Sequence, residues 1–256
     1  MAKSSEELPV IAVWFSCGAA SAVAAKLTLE KYGKTHKIRI LNNPVVEEDE
    51  DNLRFLNDVE KWLGVQIEIV KNPMFPECSA FEVWELKQYM SGTAGAPCTT
   101  QLKKLARKYW EKANKSDHIV LGFTADEAHR VDNFRQNEPH NLLPVLVDAG
   151  LTKGDCFKIL MEAGIVLPRI YMLGYPNANC IGCVKATSPT YWNHVRKVHP
   201  KIFQQRAEQS RRIGARLVRY KGVRMFLDEL PEDAIGRPMK NMDFECGIFC
   251  APAQES

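Results

Sequence analysis

The stretch Val10-Ile11-Ala12-Val13-Trp14-Phe15-Ser16-Cys17-Gly18-Ala19-Ala20-Ser21 decides the fold. The apolar run Val10 to Phe15, just after Pro9, reads as a buried strand. Small residues then turn the chain, and Ser21 to Tyr32, rich in Ala, Leu and Lys, reads as a helix. A strand feeding a helix through a small-residue loop opens a βαβ unit. The amides at such a helix start hold anions, and a loop without bulky side chains lets a phosphate approach the backbone. Ser16, Gly18 and Ser21 are therefore candidate nucleotide contacts, with a plain strand-to-helix turn as the competing reading. The loop has neither the Gly-Lys-Ser/Thr ending of a Walker motif nor a Gly-x-Gly-x-x-Gly fingerprint.

The alternation continues outward. Lys37 to Leu41 reads as a second strand, running into Asn42-Asn43-Pro44 and the acid-rich turn Glu47 to Asp51. Phe55, Val59, Trp62 and Leu63 mark one face of a helix stopped by Gly64. Val65 to Val70 reads as a third strand, Ala80 to Tyr89 as a helix, Thr99 to Trp110 as another entered at Cys98, and His118 to Gly122 as a fourth strand. Further on, Leu142 to Leu146 has strand character and Lys153 to Glu162 helical character. Tyr191 to Arg211 is one long helix or two joined near Pro200. Short strands alternating with helices predict an α/β fold with a doubly wound, mostly parallel sheet. Residues 1–229 are expected to form a single α/β nucleotide-binding domain, and residues 230–256 a C-terminal tail or active-site flap. Asn42, at the end of the second strand, falls where open sheets bind ligands.

The 256 residues are 45% hydrophobic and 25% charged, enough to build a core and too apolar for a disordered polyelectrolyte. A net charge of +3 argues against a dedicated nucleic-acid coat while leaving room for a local basic groove. The run Arg211, Arg212, Arg216, Arg219, Lys221 and Arg224 is such a local enrichment, read either as solvated helical charge or as a contact for phosphates or RNA. The opening residues MAKSSEELPV lack a signal-peptide core, and no apolar run reaches membrane-spanning length. A cytoplasmic, reducing compartment without membrane partners is the expectation.

Eight cysteines in a reducing compartment are ligands, nucleophiles or core fillers. Cys180-Ile181-Gly182-Cys183 has ligand spacing and lies in a loop marked by Gly174, Pro176, Asn177 and Asn179; a redox dithiol is the competing reading. Cys98 precedes a helix, Cys246 and Cys250 sit near the end, and Cys78 and Cys156 read as structural. Thiolates suit zinc or iron–sulfur centres, and spacing alone does not separate the two.

Together these segments resemble the phosphoadenylyl-sulfate and adenylyl-sulfate reductase family, of the adenine nucleotide alpha-hydrolase-like fold. Phe15 to Ser21 is similar to the family's modified PP-loop, with Cys17 in place of the first Gly and Ala20 in place of the acidic residue. Gly122 to Arg130 is similar to a Gly-x-Arg-x-x-Glu/Gln-Ser-x-x-Arg segment lining the nucleotide and sulfate site; Thr124 replaces the first Arg, Ala128 the Ser, and Arg130 keeps the last basic position. Cys98 and Cys180 are 82 residues apart, as in cluster-bearing members, with Thr99 in place of a tandem cysteine. Glu245-Cys246-Gly247-Ile248-Phe249 is similar to the C-terminal Glu-Cys-Gly-x-His signature, Phe249 replacing His.

The resemblance implies a 4Fe-4S cluster on Cys98, Cys180 and Cys183, with zinc as the alternative metal. It implies Cys246 as the nucleophile that forms a thiosulfonate, a thioredoxin-like reductant that releases sulfite, and an adenine nucleotide substrate held with help from Lys103 and Arg130. Lys185, beside the Cys-x-x-Cys turn, is a further candidate contact for substrate phosphate, with solvated charge as the competing reading. Two other functions stay open: ATP-dependent sulfur transfer to RNA or a nucleotide, with ATP as cosubstrate, and a noncatalytic nucleotide-binding scaffold.

Overall fold

The computed structural model describes residues 8–239. The described residues form two compact units, each assembled from separated stretches: 8–43, Asp51–Val70 and Lys108–Pro168 in one, and Pro44–Glu50, Lys71–Arg107 and 169–239 in the other.

The first unit is built on a parallel sheet of β1 (Val10–Trp14), β2 (Lys37–Asn42), β3 (Ile67–Ile69) and β4 (His118–Val120), in the order β3-β2-β1-β4. This is an α/β fold with the expected parallel core. Ile11 to Trp14 are all buried, as a central strand covered on both faces requires. Helix α1 (Ala19–Tyr32) buries Ala19, Ala22, Val23, Ala24 and Ala25, side chains small enough for close packing on the sheet. Helix α2 (Asp51–Leu63) is amphipathic and buries Phe55, Leu56 and Val59. The expected strand at Leu142 to Leu146 is mostly not one. Leu142 makes a single parallel bridge to Ile119, after which Pro144 turns the chain into the short helix Val145–Asp148.

The second unit packs helices around Trp84, Tyr191 and Trp192. Its helices include Ala80–Lys87, Pro189–Val198 and Pro200–Ile213. The last two are separate because Pro200 lacks an amide and pushes His199 to φ −130°, ψ 63°. Thr99–Leu105 is a π-helix where an ordinary helix was expected. The basic stretch is not helical from 218 onward: β5 (Val218–Tyr220) and β6 (Val223–Met225) form an antiparallel hairpin. Leu230 and Ala234, in the expected tail, are buried in this unit's core. No described helix is long and apolar enough to cross a membrane.

Candidate functional site

In the first unit, the chain leaves β1 toward one side of the sheet and returns on the other as β4, so the switch point at which open sheets bind ligands lies at their carboxyl ends. The loops that flank it are Ser16 to Ser21 and Gly122 to Arg130. Cys17 adopts φ +54°, the left-handed conformation that favours glycine, at the position where the resembling family carries Gly. Its side chain is buried, and Asn42 Nδ2 donates to Phe15 O at 2.8 Å and lies 3.5 Å from Cys17 Sγ. Asn42 therefore braces the loop from the end of β2. Asn43 donates to Val70 O at 2.8 Å, while its buried Oδ1 has no partner among the described residues.

Ser21 closes the loop from inside. Its hydroxyl donates to Gly18 O at 2.9 Å and accepts from Ser16 N at 3.1 Å, with Ser16 Oγ 3.3 Å away. Gly18 caps α1 in extended backbone geometry, so the first turn of α1 offers amides without acidic side chains in front of them. Gly122 lies against this turn: a Cβ there would stand 2.8 Å from Ser21 N and 3.0 Å from Ser21 Cα. Only glycine lets the chain leaving β4 pass so near the loop leaving β1. Beyond it, Glu127 accepts from Thr124 N and Oγ1, both at 3.2 Å, and from Arg130 Nη1 at 2.6 Å. The Arg130 guanidinium stacks on Phe123 at 4.3 Å. Arg130 is thus a fixed cation at this end of the sheet, oriented by a carboxylate and an aromatic face.

In the second unit, Cys180 and Cys183 are buried in the aromatic core, and Cys98 packs against it. Gly182 makes the turn between the pair possible at φ +68°, and a Cβ there would meet Ile202 Cγ2 at 3.3 Å and Arg206 Nε at 3.6 Å. Tyr191 ties the turn together: its hydroxyl accepts from Cys183 N at 2.8 Å and donates to Cys180 O at 3.4 Å. Burial pushes the Tyr191 phenol well up, keeping it a neutral donor. Arg206, 4% exposed, stacks on Trp84 at 4.3 Å and donates to Gln209 Oε1 at 2.9 Å, while its Nε has no partner among the described residues. Desolvation lowers its pKa, and Glu47, Cys180, Tyr191 and Cys98 all oppose that shift, so both cysteines lie within electrostatic reach of the guanidinium. Arg206 was not singled out from sequence; it looks like one more charge on a helix rich in charges.

Lys103, expected as an anion contact, sits in a buried ion pair with Glu48 at 3.1 Å. Lys185 is half-buried two residues after Cys183. The acid-rich turn Glu47 to Asp51 is taken up in local contacts. Glu47 accepts from Ser79 Oγ, Ala80 N and Phe81 N at 2.8–3.0 Å, capping the helix Ala80–Lys87, and Asp49 pairs with Arg169 at 2.8 Å. Burial raises the Cys78 thiol and pushes that of Cys156 up to about 11, which keeps both protonated at neutral pH. Cys246 and Cys250 lie outside the described residues.

Three thiols are suitable donors for a soft metal centre, and the orphaned Arg206 Nε beside the turn suits an anionic one. Among the described residues, however, no three His, Cys, Asp or Glu side chains are gathered closely enough to hold a metal ion.

No protein-family model matches this chain, and no curated protein matches it. Among solved structures it is similar to the U34-tRNA thiolase NcsA from Methanococcus maripaludis with its 4Fe-4S cluster, at 12% identity and a TM-score of 0.45, over 81% of this chain and 72% of that one.

Proposed function

We propose that this chain is a thiol-dependent enzyme acting on adenylyl sulfate or phosphoadenylyl sulfate. The observation that supports this reading is the close approach of two loops at the ends of β1 and β4, where the Ser16–Ser21 loop, the amides of α1 and the passage at Gly122 would cradle a nucleotide's phosphate. Gly18 and the first turn of α1 hold the phosphate oxygens. Ser16 supplies a hydroxyl, Ser21 and Asn42 keep the loop in shape, and Arg130 adds fixed positive charge.

Cys246 is the nucleophile. Its thiolate attacks the sulfur of the sulfuryl group, the S–O bond to phosphate breaks, and the nucleotide leaves with the electron pair on its phosphate oxygen. A dithiol of the thioredoxin class then attacks the Cys246 sulfur, sulfite departs, and the dithiol ends as a disulfide. The sulfur has been reduced by two electrons, which the dithiol supplied. Cys98, Cys180 and Cys183 would hold a 4Fe-4S cluster, whose anionic charge the Arg206 guanidinium would offset; no step above passes through it. Sulfite release that needs a dithiol and is lost in Cys246→Ser, with nucleotide binding retained, is the expected result. Retained turnover in that variant overturns the assignment.

A second reading is favoured by the second loop. Thr124 and Arg130 both engage Glu127, and Thr124 stands where the reductase pattern has another arginine. A site with less positive charge for sulfate suits ATP-dependent sulfur transfer to RNA or a nucleotide. Substrate-dependent pyrophosphate release from ATP, with a thio-modified product, distinguishes it.

A further inference from the structure

We propose that the β5–β6 hairpin is a docking surface for the phosphodiester backbone of a nucleic acid. Arg219 and Arg224 are directly opposed across the two strands, so their side chains share one face. Like charges directly opposed destabilise a hairpin, and an isolated ribbon has no structural use for such a pair. At the tip, Lys221 and Gly222 adopt φ +47° and +80°, a turn that favours Asn, Asp or Gly at both positions. A lysine there places another charge where backbone preference argues against it. Arg216 adds a fourth, stacked on Phe226 at 5.4 Å, and Lys221 lies over Tyr220 at 5.1 Å.

The neighbouring arginines show what satisfied surface charge looks like in this unit. Arg211 pairs with Asp228 at 2.7 Å and Glu229 at 3.1 Å, and Arg212 pairs with Glu85. Arg216, Arg219, Lys221 and Arg224 make no ion pair among the described residues. Four cations in one short segment, without carboxylate partners among the described residues, match a repeating phosphate chain. A lipid surface would ask for apolar side chains able to insert, and Val223 is the one strongly exposed large hydrophobic residue in the segment 216–226. The ribbon is fastened at Arg219 N, which donates to Thr187 O at 2.8 Å, four residues beyond Cys183. The proposal does not depend on the reductase reading and gives the chain a second class of partner.

The test is fluorescence anisotropy of the full chain with single-stranded RNA and DNA of about 20 nucleotides across a salt series, with anionic phosphatidylserine vesicles and polyglutamate as control arms. Binding to at least one nucleic acid is expected. In R219S/R224S, affinity should drop about tenfold at low salt, and the log–log salt slope should flatten by about 1.4, two single-strand phosphates at about 0.7 each. R219E should bind at least as weakly while its melting temperature holds or rises, because it sets opposite charges across the strands. A purely structural role would not move affinity and stability in opposite directions. Failure to bind either nucleic acid, unchanged affinity and slope in a folded double variant, or preferential binding to vesicles or polyglutamate would overturn the proposal.

Discussion

Cys17 carries a backbone conformation that a side chain makes costly. At φ +54° an L-residue loses about 1–2 kcal/mol relative to its right-handed alternative, and glycine does not. Cys17→Gly is therefore predicted to be more stable than Cys17→Ala by about 1 kcal/mol, the reverse of the usual order, as read by urea denaturation. If alanine proves the better substitute, the loop is not held in this shape. Gly122→Ala is predicted to cost about 1–3 kcal/mol and to weaken nucleotide binding, because its Cβ would overlap the backbone at Ser21. The loop was legible as a turn from its small residues, and the resemblance flagged Cys17 as a stand-in for glycine. What could not be read was the division of labour. Ser21 and Asn42 look like ligand contacts in sequence, yet Ser21 bonds to Gly18 O and Ser16 N, and Asn42 to Phe15 O. Polar residues at a crevice brace loops as readily as they hold ligands, and spacing does not tell which.

At the scale of elements, the Cys180–Cys183 turn hangs on one hydroxyl. Tyr191→Phe leaves Cys183 N buried without its acceptor, for a predicted loss of about 1–3 kcal/mol. Its thiols should also become more reactive toward a bulky alkylating reagent, while Cys156, at 0% exposure and with its thiol pushed up to about 11, stays inert. Where the two helices meet, His199 sits near Tyr175, His194, Asp49 and Arg169; desolvation lowers its pKa, against the pull of Asp49. The folded state then binds fewer protons than the unfolded one. Stability from this group is fully present above the unfolded value of about 6.5 and is lost as pH falls through it. A shallower decline in melting temperature between pH 7 and 5 is predicted for His199→Gln than for the parent. An equal or steeper decline would contradict the buried-neutral assignment. The break at Pro200 was legible because proline's missing amide is a local rule. The hairpin was not: each strand is three residues long, and its basic residues look the same on a helix as on a ribbon.

At the scale of the molecule, the parallel sheet was legible because strand signals alternate with helix signals and because β1, a central strand, is apolar throughout. The two-unit arrangement was hidden, since each unit gathers three separate stretches of the chain, and contacts of that kind leave no periodic trace. The same remoteness applies to Cys98 and Cys180, which only the resemblance linked. Anaerobically purified protein is predicted to contain iron and labile sulfide, with the visible absorbance lost on substituting Cys98, Cys180 or Cys183 and kept in Cys246→Ser. Zinc without sulfide would instead make the site structural. The reaction of Cys246 with an activated sulfate is followed by mixing the protein with adenylyl sulfate or phosphoadenylyl sulfate without a dithiol and mapping the cysteine peptides by mass spectrometry. A sulfonate adduct on Cys246, formed together with one free nucleotide and discharged as sulfite on adding a dithiol, is the predicted result; an unmodified Cys246 with intact substrate, under conditions where the nucleotide binds, would contradict it.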